Sequence, residues 1–398
     1  MTMTSRAQAG ALFGGVTVLV AGLAMRAPII SVAPILTKIQ EAYGLGSVAA
    51  SLLTSLPVLC FGALAFVAPW LGRRFGMERA IVFMLGLITA GMLVRAVWGP
   101  FGLFLGTVLL GSGIAVNNVL MPAAIKRHWT HAVGPLMSTW SVSMAVGPTL
   151  AALLTVPLYQ ALHSDVHLAL VVWVVLPVAG LVLFQALRSR LPAADGGGPT
   201  PAAARGGLWR EPLAWQVSGF LGLQSLLFYS FTGWLPTILA EGGLSDIEAG
   251  LGFSVFTIFN IVSSLVYPMI AVRSRRQGGL AAASGSMWLL GIGGLLLAPV
   301  STAYVWAGLA GLGSGASFSL ALTLLVLRTR DAATAARLSG MAQAVGYTLA
   351  ATGPLMMGWA FEASGGWTVP LVVLLAVVPF MTAAGIASGR PVEIGPAS

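Results

Sequence analysis

Arg26 lies in an apolar stretch, residues 11–39, long enough to cross a bilayer. A cation near the middle of a membrane costs about 3 kcal/mol on insertion scales and 10 or more in simulations, so it is rare and usually functional. No Asp or Glu lies in the interior of any membrane-length segment of this chain. A guanidinium donates hydrogen bonds as a planar fork, which suits planar anions. The chemistry expected at Arg26 is therefore recognition of a small anion. Lys38 follows twelve residues later, which puts Arg26 about 18 Å below the outer surface at about 1.5 Å per residue. The competing reading is a structural cation bonded to backbone carbonyls opened by Pro28 and Pro34, because proline removes a donor and leaves an acceptor without its partner.

Other polar groups sit in apolar stretches. Arg95 stands three residues before Trp98, and is expected to snorkel to the membrane surface and draw anions to the outer mouth. Asn117 and Asn118 are neighbours; successive helical residues differ by about 100°, so at most one faces a pocket squarely. Gln224 and Tyr229 offer donors that would complete an anion or heterocycle site, with Gln343 and Asn260 as further candidates. Trp140 and Tyr347 would stack on a flat substrate. Each of these has an ordinary alternative: amides also tie membrane helices together, and aromatic residues also pack. The histidine pairs His163/His167 and His128/His131 have no convincing metal-ligand setting, and no metal is assigned. There is no phosphate-binding Gly-Lys-Ser/Thr loop, so no nucleotide or other cofactor is expected. No catalytic His-Asp or Ser-His-Asp set falls in the membrane segments, so an intramembrane enzyme is disfavoured. Cys60 is the single cysteine, and an internal disulfide is excluded.

The elements that position these residues are membrane helices. The 398-residue chain is 57% hydrophobic and 8% charged, against about 25% charged in soluble domains, and lipid leaves no water for open backbone groups. Twelve segments can be marked, at 11–39, 47–71, 80–98, 101–125, 134–158, 167–187, 213–240, 247–271, 280–298, 302–327, 336–360 and 368–388. An Ala-, Gly- and Pro-rich linker, 188–212, separates an N-terminal half, 1–187, from a C-terminal half, 213–398. The net charge of +9 raises the question of nucleic acid. However, fifteen Lys and Arg residues, from Arg73 to Arg337, fall in one alternate set of connections, and Arg6 and Arg390 lie at the termini. The opposite loops hold only Lys38 among acidic residues. This is a topology signature rather than a nucleic-acid stripe, and it places both termini in the cytoplasm. No cleavable signal peptide is evident.

The halves repeat. Gly111-Ser112-Gly113 and Gly313-Ser314-Gly315 are offset by 202 residues (313 − 111), as are Pro34 and Pro236 (236 − 34). Gly147-Pro148 and Gly353-Pro354 are offset by 206 (354 − 148). At an offset of 202 the counterpart of Arg26 is Phe228. Such repeats mark transporters with a central site.

Twelve segments in two halves, with Leu71-Gly72-Arg73-Arg74-Phe75-Gly76 between segments two and three, resemble the major facilitator superfamily; Arg73 stands where that loop signature has Asp. Met25-Arg26-Ala27-Pro28, Val32-Ala33-Pro34, Leu53-Thr54-Ser55-Leu56-Pro57-Val58, Met121-Pro122 and Trp234-Leu235-Pro236 are similar to the cyanate and 2-nitroimidazole transporter family. The resemblance implies an all-α fold of twelve transmembrane helices in two pseudo-symmetric six-helix halves. It implies a monomeric permease of the bacterial inner membrane, moving a small anion or small polar heterocycle by alternating access. Segments one, four, seven and ten would line the path. Without an acidic site in the membrane, uniport or exchange is expected, or symport in which a coupled proton rides on the substrate or a polar chain. The rivals are a drug exporter of the same fold and, less favoured, a receptor, for which no cytoplasmic domain is long enough.

Overall fold

The computed structural model describes residues 2–189, 207–298 and 300–395. Apart from an isolated bridge between Thr329 and Ile394, these residues form helices and turns. The N-terminal helices are α1 (Thr2–Ile30), α2 (Leu36–Tyr43), α3 (Ser47–Leu64), α4 (Val67–Phe75), α5 (Met77–Val97), α6 (Gly99–His128), α7 (Val133–Ala161), α8 (Val166–Val171) and α9 (Val175–Arg188). The C-terminal helices are α10 (Pro212–Glu241), α11 (Asp246–Arg273), α12 (Gly278–Leu297), α13 (Ala303–Leu327), α14 (Ala332–Ser364) and α15 (Thr368–Ser388). The chain divides into two compact units, Met1–Ala202 and Ala203–Ser398. Most of the linker expected at 188–212 lies outside the described residues.

Proline sets the breaks. α1 stops at Ile30, shortly after Pro28, and the chain passes through a 3-10 turn, Ala33–Ile35, that contains Pro34. α3 and α4 separate at Ala65 and Phe66, where Pro69 has no N–H to give the Ala65 carbonyl. α8 and α9 flank a 3-10 turn, Val172–Val174, in which Pro177 likewise supplies no donor for Trp173. Acidic residues start helices: Asp165 accepts from the His167 and Leu168 amides, Ser245 and Glu248 form a capping box, and Asp331 accepts from the Thr334 amide.

Nine helices among the described residues are long and apolar enough to cross a membrane. The segments outside that set are the broken α3–α4 pair and α10 and α14. The last two carry Gln224, Tyr229, Gln343 and Tyr347, whose polar groups dilute their apolar character.

Each unit uses the same packing scheme. In the first, α1 packs on α7 and α9, α3 on α6, and α5 on α6 and α9. In the second, α10 packs on α14 and α15, α11 on α13, and α12 on α13 and α15. Close approach at glycine fixes the register. A methyl on Gly113 would meet Met84 O at 2.7 Å and Ile88 N at 3.3 Å; one on Gly313 would meet Ser284 O at 3.0 Å and Trp288 N at 2.8 Å. All three pairs are offset by 200 (313 − 113, 284 − 84, 288 − 88). This corrects the offset of 202 inferred from the Gly-Ser-Gly triplets, which match as words but sit two residues out of structural register.

After α15 the chain doubles back. Ile394 N–H bonds Arg328 O at 2.8 Å, and Arg330 N–H bonds Ile394 O at 3.0 Å. Arg328 is buried, and its Nε donates to Ser388 O at 2.8 Å while Nη2 donates to Gln277.

Two glycines of α5 provide a test. A methyl on Gly91 would stand 2.6 Å from Leu110 N and 2.7 Å from Gly106 O, both backbone, whereas one on Gly86 meets nothing within 4 Å. Overpacking costs about 1–3 kcal/mol, while Gly→Ala at an open helical position stabilises by roughly 0.4–1 kcal/mol. Thermal melting in detergent is expected to show Gly91→Ala well below wild type and Gly86→Ala at or above it.

Candidate substrate site

Arg26 is half-buried near the end of α1. Its Nε donates to Met144 Sδ on α7 at 3.3 Å, and its guanidinium carbon lies 5.6 Å from the centre of the Phe61 ring on α3. Gly147 lets α7 approach at this level: a methyl there would meet Arg26 Cβ at 3.3 Å and Leu23 O at 3.4 Å. A thioether is a weak, polarisable acceptor, and a cation over an aromatic face gains about 0.5–2 kcal/mol. Both contacts help to orient the guanidinium. Sequence reasoning missed both. Met144 lies three residues before Gly147, one helical turn from a glycine already singled out.

The same close approach exists in the second unit. A methyl on Gly353 would meet Leu226 O at 2.8 Å and Ser230 Oγ at 2.5 Å. Leu23 therefore matches Leu226, an offset of 203 (226 − 23), and Arg26 matches Tyr229 rather than Phe228. Tyr229 is half-buried, as Arg26 is.

Gln224, Tyr229, Gln343 and Tyr347 all belong to the packed pair α10–α14. Gln224 Nε2 donates to Ser225 Oγ at 2.7 Å, while its Oε1 is buried without a partner. Gln343 Nε2 donates to Ser339 Oγ at 2.9 Å, and Tyr347 is buried. Trp140 is 1% exposed and packs near Gly22 on the α1 backbone. Asn260 Nδ2 donates to Ser314 Oγ at 2.8 Å, tying α11 to α13. Asn117 and Asn118 are both buried on α6, and neither amide atom of Asn117 has a hydrogen-bond partner. Ser141 Oγ on α7 is also without one.

Arg95 does not snorkel. It is 0% exposed, and its Nη1 and Nη2 donate to Pro28 O at 3.0 Å and Leu170 O at 3.4 Å. Both carbonyls sit beside helix breaks, where acceptors inside the protein compete with the membrane surface for the guanidinium. Arg95 thus bonds backbone carbonyls in the way that was considered for Arg26.

At the opposite end of α5, His128 Nε2 lies 2.7 Å from Glu78 Oε1 and Arg127 Nη1 lies 3.6 Å from it. This carboxylate ties the start of α5 to the end of α6.

Leaving a buried amide without partners costs about 1–3 kcal/mol. Asn117→Leu, similar in volume, is expected to raise the melting temperature, which thermal melting in detergent checks.

The family model described as "Major Facilitator Superfamily" matches residues 15–351. The chain is 39% identical over 384 residues to the "2-nitroimidazole transporter" of Escherichia coli (strain K12), covering 95% of this chain and 96% of that one. It is 29% identical over 347 residues to the "Cyanate transport protein CynX" of the same organism, covering 87% and 89%. A solved structure of the "proton:xylose symporter XylE bound to 6-bromo-6-deoxy-D-glucose" shares the fold, with a TM-score of 0.75 at 12% identity over 94% of this chain and 95% of that chain. Helix order, the packing scheme repeated in both units and the match over residues 15–351 agree: the chain belongs to the major facilitator superfamily of multi-pass membrane transporters.

Proposed function

We propose that this transporter moves a small anion across the bacterial inner membrane by alternating access, with both termini cytoplasmic. The anion is cyanate-like, nitrite- or nitrate-like, or a small carboxylate. The observation that carries this reading is Arg26, half-buried on α1 and oriented by Met144 Sδ and the Phe61 face at the Gly147 approach. A guanidinium brings a charge and a donor fork to a flat anion. Asn117 and Gln224, with buried polar atoms lacking partners, and Tyr229, the counterpart of Arg26, are the proposed supporting contacts. A second reading is transport of a neutral nitroheterocycle. It is favoured by the 39% identity to a 2-nitroimidazole transporter, and a nitro group offers two oxygens to the same fork.

Ligand-induced thermal stabilisation separates the two, because a ligand that binds only the folded state raises its apparent stability. Cyanate, nitrite, nitrate, small carboxylates and 2-nitroimidazole are the probes. Charged hydrogen bonds contribute about 1.5–3 kcal/mol, so Arg26→Ala is expected to weaken the stabilising anion by about tenfold or more, and Arg26→Lys by less. Stabilisation by 2-nitroimidazole that survives Arg26→Ala sinks the anion reading and makes Arg26 structural.

Every acidic residue among the described ones lies within two residues of a helix end or in a connection or tail. Carriers driven by protons commonly hold an acidic site within the membrane, so uniport or exchange is proposed. Uptake of a permanently charged anion into proteoliposomes is expected to persist after the proton gradient is collapsed; dependence on that gradient argues for a coupled proton.

A further inference from the structure

The first unit contains a second cation that the reading above does not use. A guanidinium has five N–H donors. Arg95 gives one to Pro28 O and one to Leu170 O, and its buried Nε bonds nothing. No carboxylate among the described residues pairs with it. Carbonyls satisfy hydrogen bonds but do not neutralise charge, and removing an ion from water costs several kcal/mol even after relaxation. A counter-charge beside Arg95 would offset that cost.

Arg95 borders a cavity of about 80 Å³ within this unit, whose other walls include Ile29 and Ile30 of α1, Leu53 of α3, and Thr107 and Leu110 of α6. A water molecule needs roughly 10–15 Å³ on this scale, so a halide or an oxyanion of three or four atoms fits, while gluconate would leave its several hydroxyls unpaired against apolar walls. Among the described residues the walls are apolar apart from Arg95 and Thr107, whose hydroxyl donates to Leu103 O at 2.7 Å. A polar but neutral ligand would find few partners here; a compact anion would find a full charge.

We propose that this cavity binds a small inorganic monoanion, chloride-sized to nitrate-sized, as the counter-ion of Arg95, at a site separate from Arg26. The anion is either a resident halide or a transported oxyanion on its route, and both share one chemistry: a compact single charge against a buried guanidinium.

The test uses purified protein exchanged into gluconate, then titrated with chloride, bromide, nitrate or cyanate while the melting temperature is followed. In the Arg26→Ala background, which removes the anion site proposed above, a saturable rise is still expected. Adding Arg95→Gln, or Leu53→Phe, which fills the cavity and leaves Arg95 in place, is expected to abolish it or shift it to about tenfold higher concentration. Bromide is expected to give an anomalous peak against Arg95 in crystals. A response to halides identifies a resident ion; a response to nitrate or cyanate alone, still dependent on Arg95, identifies the transported anion. In the Arg26→Ala background, equal melting in gluconate and in every small anion, or a response indifferent to Arg95→Gln and Leu53→Phe, overturns the proposal. If Arg95→Gln does not fold, Leu53→Phe and the bromide peak decide.

Discussion

A helix that breaks inside lipid leaves carbonyls with no water to bond, and the first unit is arranged around two such breaks. One follows Pro28, the other precedes Pro177, and Arg95 bridges the carbonyls beside them at Pro28 and Leu170. A single side chain of α5 thereby ties α1 to α8. The break in α1 brings the helix to its end just past Arg26, and α7 approaches at Gly147. The cation proposed to read substrate is held in place by a second cation that repairs backbone.

The two units share packing but differ in chemistry. Glycine brings α1 onto α7 and α10 onto α14 at matched positions, yet the residue presented is a guanidinium in one unit and a phenol in the other. The second unit backs its phenol with rings: Phe228 stacks on Phe256 at 6.4 Å and Phe231 on Phe256 at 5.8 Å. Duplication preserved the scaffold, which depends on glycine contacts, and released the side chains that face no backbone.

Much of this was legible in the sequence, and the failures have physical causes. Hydrophobic length marked the helices, and prolines marked where they break. The position of Arg95 was not legible, because distance along the chain to a membrane surface says nothing about which carbonyls a distant helix leaves open. Register was misread because Gly-Ser-Gly recurs at 202 while Gly113 and Gly313, which meet matched backbone atoms, recur at 200. Asn260 and Asn117 look alike as letters. One donates to Ser314 on a neighbouring helix and the other is left without a partner, a distinction made only by tertiary packing.

The C-terminal tail has a consequence for the order in which the second unit is assembled. Arg328 precedes its acceptor Ser388 by 60 residues, and the strand-like bridge at Ile394 comes later still. During synthesis the guanidinium emerges after Gln277 but well before Ser388 and Ile394. Its enclosure is therefore completed only when α15 and the tail have been made, from the C-terminal end.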